Sequence, residues 1–498
     1  MGLLNFDERP KIFKSSFHEL IVVTLVCLAQ FLTQAGITMC LSTMNIILKD
    51  FKNSDSSSLA TWFMGGYALT VGSFILVSGR IADLFGLKKV FVIGWIWIII
   101  WSIIAGCSYY TNSIIFFIIC RAFQGIGFAL ILPTGLGILG HIYSNGGRKN
   151  FVFGCVGANG PTGACLGALM AGVVAQTWWW PWIFWLLAIF CSILLVLSVF
   201  YIPHFVSDQQ EGSTLEKIDI PGCILGLVGL ILLNFVWTQG PVVGWGKAYI
   251  IVLLVISVFT IIGFFIYEIK FANYPLLPKS IFNIKIGLVL ACMSFGWGSF
   301  GAWQFYYWNI ILNLRKYSPI EGGLTYIPFL VLGIIASLLV SFVISHTKPS
   351  FIISFSSLCF MIGCIMLSVT PIEQSFYRMT MGQMFILSGA MDMSFPSATI
   401  ILMDVLEEKG MAGSLVSTIV NYSVSLFLGM STCVEIETFK HNQNLLLSYR
   451  AALYFATGIA GLGFICSLIF IFVQRDDIKG TTAFIEVDNI DESSIEKK

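Results

Sequence analysis

The chain has 498 residues, 57% of them hydrophobic and only 11% charged, with a net charge of +1 and a mean hydropathy of +0.88. A water-soluble globule carries about a quarter charged residues, so this much apolar surface requires lipid as its solvent. The near-neutral balance, with its charges in short loops and no basic patch, excludes a nucleic-acid partner.

In chain order, the opening MGLLNFDERPKIFKSS lacks the n-region, short apolar core and small-residue cleavage pattern of a removable signal, so the first apolar run is expected to target the chain. Phe6 stands where a myristoylation site needs Ser or Thr. Fourteen apolar runs follow, near 20–47, 60–79, 90–108, 114–139, 151–176, 183–202, 220–238, 249–267, 286–312, 321–345, 350–370, 376–402, 411–434 and 449–473. Each can cross a hydrocarbon core of about 30 Å as a helix. They are apolar on all sides, without the period-two alternation of a barrel, and a helix satisfies every backbone group internally. The expected class is therefore an all-α integral membrane protein.

An even number of spans puts both ends on one side. Most of the 27 Lys and Arg, among them Arg9, Lys88, Lys89, Arg148, Lys149 and Lys285, then fall on that side, which makes both ends cytoplasmic. Two polar stretches divide the chain: 203–218, rich in Ser, Gln and Glu, and 268–285, with Pro275 and Pro278. The expected organisation is a cytoplasmic segment 1–19, a six-helix bundle 20–202, a linker 203–218, two inserted helices 219–267, a linker 268–285, a second six-helix bundle 286–474 and an acidic, disordered cytoplasmic tail 475–498.

Span 1 carries Gln30, Gln34 and Thr38, with Ser42 a turn further, along one slowly winding face. Such a stripe suits either a cavity wall or helix-to-helix hydrogen bonding; Asn421 does the same in span 13. Between spans 2 and 3 stands GRIADLFGLKK, with Gly79 and Gly86 bracketing a helix end and a tight turn. Arg80 and Asp83 are placed to pair or cap, and Lys88 and Lys89 anchor span 3 at an anionic leaflet. Arg121 lies well inside span 4, in RAFQGIG with Gln124. A cation at that depth costs roughly 2.5–3.5 kcal/mol, so it should face a polar cavity and have partners. Span 5 reads GCVGANGPTGACLGALMAG, in which Gly157, Gly160, Gly163 and Gly167 permit close helix approach and Pro161 permits a bend.

Asp392 is the acid placed deep in a span, four residues before Pro396. It is a candidate for proton exchange near neutral pH, or for a structural pairing beside the proline. Aromatic clusters from Trp178 to Trp185 and from Trp303 to Trp308 read as interface belts. The 13 cysteines lie in apolar runs and the 5 histidines at span ends, which gives neither a disulfide framework nor a metal site.

GRIADLFGLKK matches the signature loop of major facilitators, and Arg121, Gln124 and Gly125 match their RxxQG motif. Span 5 resembles the antiporter motif GPxxGG, with Ala164 and Cys165 in place of its last two glycines. Together with Asp219 and Gly222 opening span 7, Gly244-Trp245 before span 8, and YEIKFANYPLLP, the chain resembles the fourteen-span drug:proton antiporters of fungi. GRKNFVFG and KGMAGSLVSTIVNYSVS make it similar to their aminotriazole-resistance and boron-efflux group, which itself resembles an ammonium-permeable facilitator.

The resemblance implies two rocking six-helix bundles, with Asp83 and Lys88 latching a cytoplasmic gate. It implies Arg121, with Gln124, in proton coupling; Asp392 joins them as the acid deep in a span, and the polar stripe of Gln30, Gln34 and Thr38 with Asn421 is the expected lining of a cavity for a small-molecule cargo. It further implies no catalytic residues, no cofactor beyond protons as coupling ion, a monomer in the lipid bilayer, and the plasma membrane or else the vacuolar one. Export of aminotriazole or boric acid is the expected activity, with a passive facilitator of a solute such as ammonium as the alternative. A sensor that retains the fold is a third class, for which no signalling domain is visible. The proton gradient suffices for export, at about 2.3 kcal/mol per charge per 100 mV and about 1.4 kcal/mol per pH unit.

Overall fold

The computed structural model describes residues 9–51, 59–144, 146–203, 219–277, 279–406 and 409–495. All fourteen expected spans are helices long and apolar enough to cross a membrane. They are α1 Ser16–Asp50, α2 Thr61–Phe85, α3 Leu87–Cys107, α4 Ile114–Ile142, α5 Gly147–Thr177, α6 Pro181–Tyr201, α7 Ile220–Val243 and α8 Ala248–Lys270. In the second half come α9 Ile284–Asn309, α10 Ile327–His346 (preceded by the short turn Pro319–Leu324), α11 Pro349–Val369, α12 Met379–Val405, α13 Lys409–Asn442 and α14 Leu445–Ile495.

Local chemistry sets the helix ends. Ser15 caps α1, Ser113 caps α4 and Asp219 caps α7, each through a side-chain oxygen that accepts a first-turn N–H. Gly86 joins α2 to α3 at φ 101°, where any other residue would be strained. The acidic segment 475–498 departs from expectation: the helix continues through it to Ile495, since extending a nucleated helix costs far less than starting one. The linker expected at 203–218 lies, after its first residue, outside the described residues.

Helices α1–α6 pack as one bundle and α9–α14 as the other, with two bundle-to-bundle seams, α5 on α10 and α2 on α13. The inserted α7 lies against α2 and α13, and α8 packs on α7. Trp62 Nε1 donates to Gln239 Oε1 (3.0 Å), Tyr422 Oη to the Leu230 carbonyl (2.9 Å) and Ser425 Oγ to Asn234 Oδ1 (3.0 Å), so the insert is fixed to both bundles.

The two halves of the membrane-spanning body differ. On the side carrying the chain ends, Leu20 and Thr24 of α1 are exposed and Leu28, Phe31 and Gln34 partly so. Further along, α1 is buried from Ala35 to Met44, α2 from Thr61 to Ser73 and α9 from Gly296 to its end at Asn309. The bundles are thus sealed against one another on the far side. Asn45 Nδ2 donates to Asn313 Oδ1 (2.8 Å), and the Thr61 and Thr432 hydroxyls lie 3.4 Å apart.

Candidate transport pathway

Arg121 is completely buried in α4. Its guanidinium donates to Gln124 Oε1 one turn along and to the Gly36 carbonyl of α1, and its carbon stands 4.6 Å from the Tyr67 ring centroid. Gln124 in turn donates to Ser102 Oγ of α3 (2.7 Å), and Tyr67 Oη to the Thr33 carbonyl of α1 (2.9 Å). Among the described residues no carboxylate forms an ion pair with Arg121. The charge is instead held by carbonyl dipoles, an amide and an aromatic face. Arg121 and Gln124 are thus brought together as one network joining α1, α2, α3 and α4.

The α5 motif divides between two neighbours. Gly160, Gly163 and Gly167 face α1: a Cβ would stand 3.7 Å from Gln30 Nε2 at the first and 2.5 Å from the Ala35 Cα at the last, while Gly163 faces the Phe31 backbone. Gly157 and Pro161 face α10 across the seam, against Ser337 and Gly333. Behind α10 lies Asp392 of α12, its Oδ2 shut off from solvent and its carboxyl turned toward Ser337. The seam therefore unites Pro161 with Asp392, while Arg121 sits apart in the first bundle.

In the gate motif Gly79 meets α13, where a Cβ would lie 3.2 Å from Ser414 Oγ. Lys88 Nζ donates to the Val199 carbonyl at the end of α6 (2.8 Å), and Asp83 and Lys89 are exposed. Arg80 is half-buried near Cys223 of α7. Of the expected cavity residues, Gln30 and Gln34 are part-open, whereas Thr38 and Asn421 are buried, and the Thr38 hydroxyl and the Asn421 Nδ2 donate to carbonyls of their own helices.

The aromatic belt expected at Trp303–Trp308 is a correction. Trp303, Tyr306, Tyr307 and Trp308 are completely buried, and Trp303 Nε1 donates to Gln383 Oε1 (3.0 Å). Their face of α9 packs inside its own bundle, a direction that hydropathy does not encode.

Sequence reasoning also missed three acids that stand near helix ends, where composition suggests solvent. Glu19 of α1 accepts from Tyr143 Oη (2.6 Å) and from Arg148 Nε and Nη2 (2.9 and 2.6 Å), and burial followed by that bond holds the Tyr143 phenol above its ordinary value. Glu435 of α13 accepts from Tyr306 Oη (2.8 Å) within the second bundle, at its far-side end. Glu268 of α8 is 3% exposed.

Two six-helix bundles about a buried arginine network and a glycine-rich seam define a membrane transporter with the major facilitator architecture. The family model for the Major Facilitator Superfamily matches residues 26–429, and the chain belongs to that family. It is a multi-pass membrane transporter, and not an enzyme.

The chain is 45% identical to the aminotriazole resistance protein of Saccharomyces cerevisiae, over 96% of this chain and 88% of that protein. It is 41% identical to the low affinity ammonium transporter of the same yeast, over 92% and 88%. It is 34% identical to the efflux pump terJ of Aspergillus terreus, over 93% and 89%. Among solved structures, the human organic anion transporter MFSD10 superposes with a TM-score of 0.59 at 14% identity, covering 90% of this chain and 99% of that one, a likeness of fold alone.

Proposed function

We propose that the protein exports a small toxic solute in exchange for protons by alternating access, with both ends in the cytoplasm and the plasma membrane as its location. The observation that carries the reading is the α5–α10–α12 junction, where Pro161, Gly333 and Asp392 converge at the seam on which the bundles must move. A carboxyl there changes charge when a proton arrives, and the desolvation cost of that charge depends on how tightly the seam is closed. Proton occupancy and bundle position are thereby linked.

Arg121 supports the reading in a second way. A permanent cation with no ion-paired carboxylate among the described residues polarises the centre of the first bundle and ties α1 to α4, so that α1 and its part-open Gln30 and Gln34 move with the network. The seal on the far side matches an arrangement open toward the cytoplasm. The resistance protein and efflux pump among its relatives fit export of a toxic solute, with aminotriazole and boric acid as the first candidates.

A second reading is favoured by the ammonium-transporting relative and by Ala164 and Cys165 in the α5 motif: a facilitator that equilibrates a small solute downhill. One experiment separates them. Efflux of preloaded aminotriazole and boric acid is followed from vesicles with and without an imposed inward proton gradient, beside Asp392→Asn. Uphill export that needs the gradient and fails in the variant is expected; movement that is only downhill and ignores the gradient replaces export with facilitation, and ammonium is then tested.

A further inference from the structure

The inserted hairpin carries at its two ends a pair of acids that the transport reading does not use. Asp219 opens α7 at the end of the first linker, and Glu268 closes α8 at the start of the second. They are 7% and 3% exposed. One oxygen of each is satisfied by backbone: Asp219 Oδ1 accepts the Gly222 N–H (3.0 Å), and Glu268 Oε2 accepts the Leu277 N–H (3.3 Å) from the second linker. The other two, Asp219 Oδ2 and Glu268 Oε1, are buried without a hydrogen-bond donor.

Both free oxygens are aimed at one place beside Gly222. A Cβ on that glycine would stand 2.6 Å from the Asp219 carboxyl carbon and 2.7 Å from Glu268 Oε1, so only glycine leaves room for the pair to approach. Cys223, Phe264 and Leu276 enclose the spot, with Leu76 and Val77 of α2 packed against them. The titratable and charged groups facing it are Tyr267 of α8, whose hydroxyl turns toward Asp219, Cys223 of α7, and Arg80 of α2 near Cys223.

Two carboxylates facing one another in an apolar pocket repel, and two acceptors with no donor between them forfeit their hydrogen bonds. One hydrogen removes both penalties, as in other carboxyl pairs that share a proton. A metal ion is a poor occupant, because among the described residues no group of three or more His, Cys, Asp or Glu could hold one.

We propose that Asp219 and Glu268 form a binding site for one shared proton, held between Asp219 Oδ2 and Glu268 Oε1, which fastens α7 to α8 and, through Leu277, the inserted hairpin to the second linker. The proton closes a ring running from the α7 N-terminus through both carboxyls to the Leu277 amide. On the reading of this chain as an alternating-access transporter, the ring lies where the hairpin joins the second linker, which leads into the moving second bundle.

The test uses the purified full-length protein in lipid nanodiscs and no transported solute, so its result is independent of the transport reading. The protonated-carboxyl stretching band is recorded in the infrared, in water and in deuterium oxide, for wild type, Glu268→Gln and Asp219→Asn. Thermal unfolding is followed across pH on the same samples.

The folded protein holds a proton that the unfolded chain has already released at neutral pH. Stability should therefore fall as pH rises toward loss of that proton, by about tenfold in the folded-to-unfolded ratio per pH unit. Each amide variant supplies its own N–H in place of the proton. The expected result is loss of one band component in both variants, together with stability that no longer falls over that range. The same band and the same pH slope in wild type and in whichever amide variant folds would overturn the proposal. So would loss of the effect in Tyr267→Phe, which would assign the hydrogen to the phenol.

Discussion

Pro161 and Asp392 belong to helices of opposite bundles and meet at one glycine: a Cβ placed on Gly333 of α10 would stand 2.5 Å from Pro161 Cβ and 3.1 Å from Asp392 Oδ2. The contact is possible because Gly333 offers no side chain. It places a motif recognised on α5 beside an acid noticed separately on α12.

Gly333→Val is therefore expected to pry α5 from α10 and to disturb the Asp392 carboxyl. Overpacking of this kind costs about 1–3 kcal/mol, to be read as a lower unfolding temperature in detergent. Transport should fall more steeply than stability. Normal transport by a stably inserted Gly333→Val protein would show that the seam is not part of the working cycle.

Arg121→Lys should be a severe change even though the charge is kept. The planar guanidinium reaches Gln124, Gly36 and the Tyr67 face at once, and a single ammonium does not reproduce that fork. Transport is expected to drop at least about tenfold, corresponding to about 1.4 kcal/mol, in protein that still reaches the membrane. Tyr67→Phe keeps the aromatic face and loses the bond to Thr33, so it should cost only about 1 kcal/mol of stability.

The far-side seal predicts a conformational effect. Asn313 accepts from Asn45 of the other bundle and donates to Asn309 Oδ1 (3.0 Å), while Tyr306 bonds Glu435 beside it. Asn313→Ala removes the inter-bundle bond, worth about 1 kcal/mol, which shifts the open population about fivefold. Hydrogen–deuterium exchange in the segment 305–314 should rise accordingly; unchanged exchange there would mean that the seal rests on apolar packing alone.

On the side of the chain ends, Glu19, Tyr143 and Arg148 bind α1 to the α4–α5 connection. Tyr143→Phe removes one hydrogen bond to a charged acceptor and should lower stability by about 1.5–3 kcal/mol. Arg148→Ala should cost more, because it leaves Glu19 buried without its cation. Thermal unfolding of the two variants beside wild type checks that order.

Hydropathy was enough for the fourteen spans, because lipid selects helices by length and apolarity, and both quantities are local. It misplaced the aromatic cluster at Trp303–Trp308, since an all-round apolar helix carries no periodic sign of which face meets lipid and which meets protein. Motif spacing found Arg121 with Gln124, one turn apart on α4, and Pro161 and Asp392 separately.

The sequence by itself determined the solvent, the number of crossings, the division into two bundles with an insert, and the residues too polar to be in lipid without a purpose. Only the tertiary structure decided how those residues are paired: Pro161 with Asp392, Glu19 with Arg148, Tyr306 with Glu435, Asp219 with Glu268. The reason is range. Transfer into lipid is paid residue by residue and can be read along the chain, whereas a buried polar atom is satisfied by whichever helix the packing of small residues brings against it.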